Sequence, residues 1–221
     1  MRQNAIAYAQ VRLQARQAER PTSAEWQMIE TARDFAQCLD AAKRTSLGPL
    51  VTRLSRESDS AALEQGMRDA WAELVWEVAS WMPAKWRPAL MWMRPLPYLR
   101  LRRAAWPRDS LTGAEQVLMD CDTVDIARHW SREFARRLPA RTGTIQGALA
   151  PLWDRFADGP ARPAADTERL RTTLETVFRR RAQEPVAVFA WLGLAALASE
   201  RLRGALLLAL LFPADEPIGV P

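Results

Sequence analysis

The stretch that decides the fold is residues 185–212, which reads PVAVFAWLGLAALASERLRGALLLALLF. Its opening proline fits the first turn of a helix, because the nitrogen atoms of that turn have no intrahelical partner. Apolar side chains then occur on every side of the predicted helix, from Val186 through Trp191 and Leu197 to Phe212. A helix without a polar face belongs in the middle of a bundle or beneath another chain.

The uncharged part of this stretch is too short to cross a bilayer. Pro185–Ser199 is the longest uncharged apolar run in the chain, at fifteen residues, whereas a membrane-spanning helix needs about 20. The first twenty residues carry four arginines among polar residues and lack the continuous apolar core of a secretory signal. We therefore expect a protein that is soluble or peripheral to a membrane and that does not span it.

Apolar residues recur at helical spacing along the rest of the chain, and no alternating strand pattern of five or more residues occurs. We predict an all-α protein, an irregular multi-helix bundle. The second helix begins at a capping box formed by Thr22 and Glu25. The apolar stripes, which we expect to face the core, are Tyr8, Val11, Ala15 and Ala18 in the first helix, Met28, Ala32, Phe35, Leu39 and Ala42 in the second, and Leu63, Met67, Ala70, Leu74, Val78 and Trp81 in the third.

The length of 221 residues fits one large domain or two small ones. Prolines allow only short helical pieces between Pro83 and Pro107, and the glycine and prolines of 158–165 make it the best linker candidate. We divide the chain into an N-terminal helical module, residues 1–108, and a C-terminal helical module, residues 109–221. The two are either pseudo-repeated modules or parts of one continuous domain.

The composition excludes several classes of function. The chain has 31 basic and 26 acidic residues, a net charge of +5, one histidine, two cysteines and nine scattered glycines. These glycines form no phosphate-binding loop, and the cysteines have neither zinc-site spacing nor a second histidine nearby. Cys38 and Cys121 are too few for a disulfide scaffold, and Cys38 is expected in the core as a small apolar residue.

Two candidate chemical groups have simpler structural explanations. His129 falls opposite the apolar side of its helix, which places it in solvent rather than in a catalytic pocket. Asp120, Asp122 and Asp125 are spaced closely enough to hold a divalent cation, but carboxylates at a helix N-terminus also act as caps and dipole partners. We therefore predict no catalytic residue, no cofactor and no metal ion.

Residues 78–108 combine basic and aromatic side chains and contain no acidic residue. Such interleaving suits nucleic acid, lipid headgroups or an acidic protein surface. The alternative is that the arginine stems cover apolar surface and solvate its rim. The basic residues are Lys85, Arg87, Arg94, Arg100, Arg102, Arg103 and Arg108, and the aromatic residues are Trp81, Trp86, Trp92, Tyr98 and Trp106.

Trp76 is a second candidate for a contact. Winding the third helix at about 100° per residue puts this side chain opposite the apolar stripe. A large exposed aromatic side chain is typical of a contact with another protein, whereas burial beneath the proline-rich segment is the other outcome. We predict a partner-binding surface that contains Trp76, Arg100, Arg102 and Arg103.

Several stretches share the pattern of one protein family. They are YAQVRLQAR (8–16), ARDFAQCL (32–39), EQGMR (64–68), PYLRLRRA (97–104), EPVAVFAWL (184–192) and ERLRGALL (200–207). Over a little more than half its length, the chain resembles the C subunit of archaeal and bacterial V-type ATPases, called subunit d in vacuolar enzymes. It looks like a shortened member, because the family is typically longer and is built from three similar helical modules.

The resemblance implies a non-catalytic helical subunit of a rotary V/A-type ATPase that links the central shaft to the membrane rotor ring. It implies the rotor-ring and central-shaft subunits as partners, no bound nucleic acid, and a cytoplasmic position peripheral to a membrane. It also implies that the chain is not an enzyme. The alternative from the residues alone is a stand-alone helical interaction module, which binds nucleic acid or an acidic protein through the basic, aromatic segment 78–108.

Overall fold

The computed structural model of the chain describes residues 2–98, 113–121, 126–139, 143–157 and 164–213. Within these ranges all regular structure is helical, which confirms the predicted all-α fold. None of the helices in this part of the chain combines the length and the apolar character needed to span a bilayer. The α-helices are α1 (Arg2–Ala18), α2 (Ser23–Glu30), α3 (Phe35–Lys43), α4 (Gly48–Val51), α5 (Ser60–Trp81), α6 (Arg87–Met91), α7 (Gly113–Asp120), α8 (Ile126–Arg137), α9 (Gly143–Ala157), α10 (Ala164–Arg180) and α11 (Pro185–Leu211).

The chain divides into two compact units. Unit 1 comprises Met1–Ala15 and Ala72–Leu197, and unit 2 comprises Arg16–Trp71 and Ala198–Pro221. The predicted boundary between residues 108 and 109 lies outside the described ranges. The division into an N-terminal and a C-terminal module therefore stays a prediction.

Unit 1 has its core around the first half of α11. Every residue of 186–194 is buried, as expected for a helix without a polar face. Phe189 packs edge-on against Trp86, with ring centroids 6.2 Å apart, and against Phe134 of α8 at 5.5 Å. Because edge-to-face contacts between buried rings are favourable beyond the area they bury, this cluster fixes α8 against α11.

Unit 2 joins the second part of α11 to α2 and α5. Arg201 donates hydrogen bonds of 2.6 and 2.8 Å to the two carboxylate oxygens of Glu30. Its guanidinium also lies 4.2 Å from the ring centroid of Trp26. Arg203 donates a 3.0 Å hydrogen bond to Glu64 of α5. Planar guanidinium groups suit such combined pairing and stacking, which fixes the orientation of the helices in this unit.

The capping box at the start of α2 is confirmed. The Thr22 hydroxyl accepts a hydrogen bond from the Glu25 amide, and the Glu25 carboxylate accepts one from the Thr22 amide at 2.7 Å. The prediction of one continuous helix beyond this point is wrong, because α2 ends at Glu30 and α3 begins at Phe35. Asp34 starts the new helix by accepting a 2.8 Å hydrogen bond from the Gln37 amide.

The stripe predicted for α5 is buried except at Leu74, which is half-buried. The stripe predicted for α1, in contrast, does not face the core. Tyr8 and Val11 are 50% and 72% exposed, and the two alanines of the stripe are exposed as well. The buried face of α1 carries Ala9 and Leu13 instead. Both faces of this helix hold apolar residues at helical spacing, so the pattern alone does not decide which one is covered.

Candidate functional site

Trp76 lies in the middle of the solvent-facing strip of α5, and its side chain is 64% exposed. Glu73 and Ser80, three residues before it and four residues after it, are exposed on the same strip. The opposite side of the helix carries Trp71 and Val78, which are fully buried. The core therefore holds α5 in an orientation that presents Trp76 to solvent.

The helix around Trp76 is acidic. Glu73 precedes it by three residues and Glu77 follows it directly. The hydroxyl of Ser80 donates a 2.6 Å hydrogen bond to the main-chain carbonyl oxygen of Glu77. A ring flanked by carboxylates on the same helix offers apolar area and negative charge together, a combination that suits a partner surface containing arginine or lysine.

The other three residues of the predicted surface, Arg100, Arg102 and Arg103, lie outside the described residues. Their placement beside Trp76 therefore stays a prediction. Tryptophan and arginine are the residue types most enriched among those that dominate binding energy at protein interfaces. Covering the exposed part of Trp76 removes a large apolar area from water, which is the main favourable term in protein association.

The aromatic side chains of the basic segment belong to the core as far as the structure describes them. Trp81, Trp86, Trp92 and Tyr98 are all less than a tenth exposed. A buried ring offers no face on which a nucleobase can stack. The basic residues Lys85 and Arg87 of this segment are exposed, so the described part of it presents charge without aromatic surface. Trp106 lies outside the described residues.

A row of arginines on α8 was not singled out from the sequence. Arg128, Arg132 and Arg136 follow one another at intervals of four residues and are exposed. The opposite side of α8 carries Trp130 and Phe134, which are fully buried. The signal that identifies the row is its spacing, because side chains four residues apart lie on one helix face.

The acidic residue within α8 is already paired. Glu133 accepts hydrogen bonds from Arg136 at 2.8 Å and from Arg137 at 2.6 Å. The hydrogen bonds from Arg137 and then Arg136 hold the pKa of the Glu133 carboxyl below its ordinary value. The guanidinium of Arg137 also lies 4.2 Å from the ring centroid of Trp92. The carboxylate therefore holds Arg137 beside the Trp92 ring and offsets part of the positive charge of the arginine row.

The residues considered for catalysis or metal binding are Cys38, His129 and three aspartates. Cys38 is fully buried. Burial, together with the negative charges of Asp34 and Glu30, raises the pKa of its thiol to about 11, so little nucleophilic thiolate forms near neutral pH. His129 is half-buried rather than fully in solvent. Across the described ranges no group of three or more potential metal ligands comes together, and two of the three candidate aspartates, Asp122 and Asp125, lie outside them.

A cleft of about 300 Å³ lies between α9 and α10 in unit 1. The hydroxyl of Thr173 donates a 2.9 Å hydrogen bond to the main-chain carbonyl oxygen of Arg169. This hydrogen bond engages the hydroxyl with the main chain of its own helix. The lining residues are Pro151, Arg155, Asp166, Arg169, Leu170 and Thr173.

Trp76 offers apolar area, and the arginine row on α8 offers positive charge. Comparison of the chain with protein-family models, with curated protein sequences and with solved structures finds no match.

Proposed function

We propose that this chain is a non-catalytic helical subunit that works by binding other proteins. Its specific role is the one that the resemblance implies, the coupling of the central shaft to the membrane rotor ring of a rotary V/A-type ATPase. The observation that carries the proposal is the 64% exposure of Trp76 on a helix whose opposite side is buried. A position peripheral to the membrane, on its cytoplasmic side, follows from this role.

The interior of each unit supports a role in which helices transmit force. In unit 1 the rings of Trp86, Phe189 and Phe134 form consecutive edge-on contacts. In unit 2 Arg201 and Arg203 fix α11 to carboxylates of other helices. Close-packed interiors have low compressibility and transmit strain, which is what a coupling subunit needs from its helices.

The proposal is tested by binding of the full chain to purified rotor-ring and central-shaft subunits. Trp76→Ala should weaken that binding by about 2 kcal/mol or more, or roughly 30-fold, because a truncated anchor of this type loses that much. Met28→Ala is the matched control. Met28 was predicted to face the core but is 47% exposed, and it lies on α2 rather than on α5. Equal affinity of the wild type and Trp76→Ala, or an equal loss in both variants, contradicts the assigned anchor.

A second variant tests the arginines of the predicted surface. Charge reversal at Arg102 and Arg103 should slow or prevent assembly with the ring and shaft subunits, because charged side chains fix orientation and association rate at such contacts. Unchanged assembly counts against their inclusion in the surface.

The arginine row on α8 favours a second candidate function, the binding of nucleic acid or an acidic protein by a stand-alone module. The test is titration with duplex and single-stranded oligonucleotides at several salt concentrations. If about five or more phosphates are neutralised, affinity falls steeply with salt, and replacement of Arg132 should reduce that slope. Negligible binding at low salt excludes nucleic acid as the ligand.

A further inference from the structure

The uncovered face of α1 has the spacing of a helix-pairing seam. Tyr8, Val11, Ala15 and Ala18 are separated by three, four and three residues, and all four are exposed. Alternation of three and four residues is the spacing by which one helix packs along another. The four seam residues are uncharged, so covering them with another helix buries no charge.

The sizes of the seam residues fit a second copy of α1 as the helix that covers the seam. In an antiparallel pair of two α1 helices centred between Val11 and Ala15, Tyr8 of one copy faces Ala18 of the other, and Val11 faces Ala15. Each of the four layers then combines a large side chain with an alanine, which is the arrangement that fills a helix interface without voids or overlap. A parallel pair would instead stack large on large in two layers and alanine on alanine in the other two.

The charges beside the seam fit the same arrangement. Arg12 and Glu19 flank it on one side, and both are exposed. In the antiparallel pair Arg12 of one copy lies on the same side as both Arg12 and Glu19 of the other. Its side chain leans toward Tyr8, which directs the guanidinium away from the other Arg12 and toward Glu19 of the other copy. Within its own chain the guanidinium of Arg12 lies 5.0 Å from the ring centroids of both Tyr8 and Trp81, which holds it beside the seam.

We propose that α1 is a self-association surface, on which a second copy of this chain docks its own α1 in antiparallel orientation. A seam of four layers is short, so the dimer is weak and reversible and forms in a concentration-dependent way. The proposal rests on the exposed seam and does not depend on the function proposed above.

Sedimentation of the full chain over a wide concentration range is the first test. The wild type should shift from monomer to dimer. Val11→Asp should raise the dimer dissociation constant by about tenfold or more, because it puts an unpaired charge against an alanine. Val117→Asp is the matched control, since Val117 is 45% exposed on α7, and it should dimerise like the wild type. A wild type that stays monomeric, or a dimer that Val11→Asp leaves unchanged, overturns the proposal.

Disulfide cross-linking tests the orientation in a Cys121→Ser background. A mixture of Val11→Cys and Ala15→Cys chains should cross-link more than either variant alone, because residue 11 faces residue 15 of the other copy. Cross-linking of Val11→Cys with itself in preference to the mixture overturns the antiparallel arrangement.

Binding of the chain to vesicles of phosphatidylcholine and phosphatidylserine tests a lipid surface as the alternative partner. Binding that Val11→Asp abolishes, in a chain that remains monomeric, assigns the face to a lipid surface and overturns the proposal.

Discussion

Trp92 and Trp130 exchange hydrogen bonds, each donating its indole Nε1–H to the main-chain carbonyl oxygen of the other, at 2.9 and 3.0 Å. Their rings lie nearly parallel, with centroids 6.4 Å apart, and both side chains are buried. Burying an indole N–H is costly unless it finds an acceptor. The exchange meets that need on both sides and joins the end of α6 to α8.

Removing either donor should destabilise the protein. Trp92→Phe or Trp130→Phe leaves one buried carbonyl oxygen without this donor and should lower the free energy of unfolding by about 1–3 kcal/mol. Urea denaturation measures the change. Trp76→Phe is the control, because its exposed ring should change stability by about 0.5 kcal/mol or less. Equal stability of all three variants would refute the role of the exchange.

Acid should weaken the ion pairs of Glu133. The pKa of this carboxyl is lower in the folded chain than in the unfolded one, so its contribution is full above about pH 4.3. That contribution is lost as the pH falls through the folded-state pKa. Glu133→Gln should therefore be about 1 kcal/mol less stable than the wild type near pH 7, and the difference should shrink at about pH 3. A difference that is constant with pH contradicts this assignment.

Cys38 should resist alkylation while the chain is folded. With a thiol pKa of about 11, about one molecule in a thousand carries the reactive thiolate at pH 8, and burial blocks access as well. Cys121 is only half-buried and should react first. Mass spectrometry after iodoacetamide treatment measures both sites. Rapid modification of Cys38 without denaturant would show that its surroundings are open.

Two glycines of α11 should respond to alanine in opposite directions. A Cβ at Gly193 would lie 3.1–3.2 Å from methyl carbons of Leu152 and Leu174, which are fully buried, so Gly193→Ala should cost about 1–3 kcal/mol. A Cβ at Gly204 meets nothing within 4 Å. Gly204→Ala should add about 0.5–1 kcal/mol, because glycine disfavours a helix interior. Thermal denaturation measures both, and stabilisation by both alanines would contradict the close packing at Gly193.

Local spacing was sufficient to predict the helical class, the capping box at Thr22 and the position of Trp76 on α5. Each of these depends on residues within a few turns of one helix, where the 3.6-residue period determines which side chains share a face. The burial of the first half of α11 belongs to the same group, because a helix without a polar face has no side that favours water.

The remaining features depend on residues that are far apart in the chain. Trp92 and Trp130 are 38 positions apart, and Arg201 and Glu30 are 171 apart, so no local pattern identifies either pair. The stripe of α1 was predicted to face the core, and that prediction is wrong because the opposite face of the helix is also apolar and is the one that is covered. The apolar pattern continues between α2 and α3 and predicts one helix there. The chain instead begins a new helix at Phe35, because the Asp34 side chain caps it by accepting a hydrogen bond from the Gln37 amide.

The proposed function requires that another protein chain covers Trp76. A photo-reactive amino acid placed at position 76 of the full chain, which is then mixed with the rotor-ring and central-shaft subunits of the proposed complex, tests this directly, with position 57 as the exposed control. The predicted result is a cross-link from position 76 to a central-shaft or rotor-ring subunit and none from position 57. Absence of a cross-link at position 76, or equal cross-linking at both positions, would contradict the proposed function.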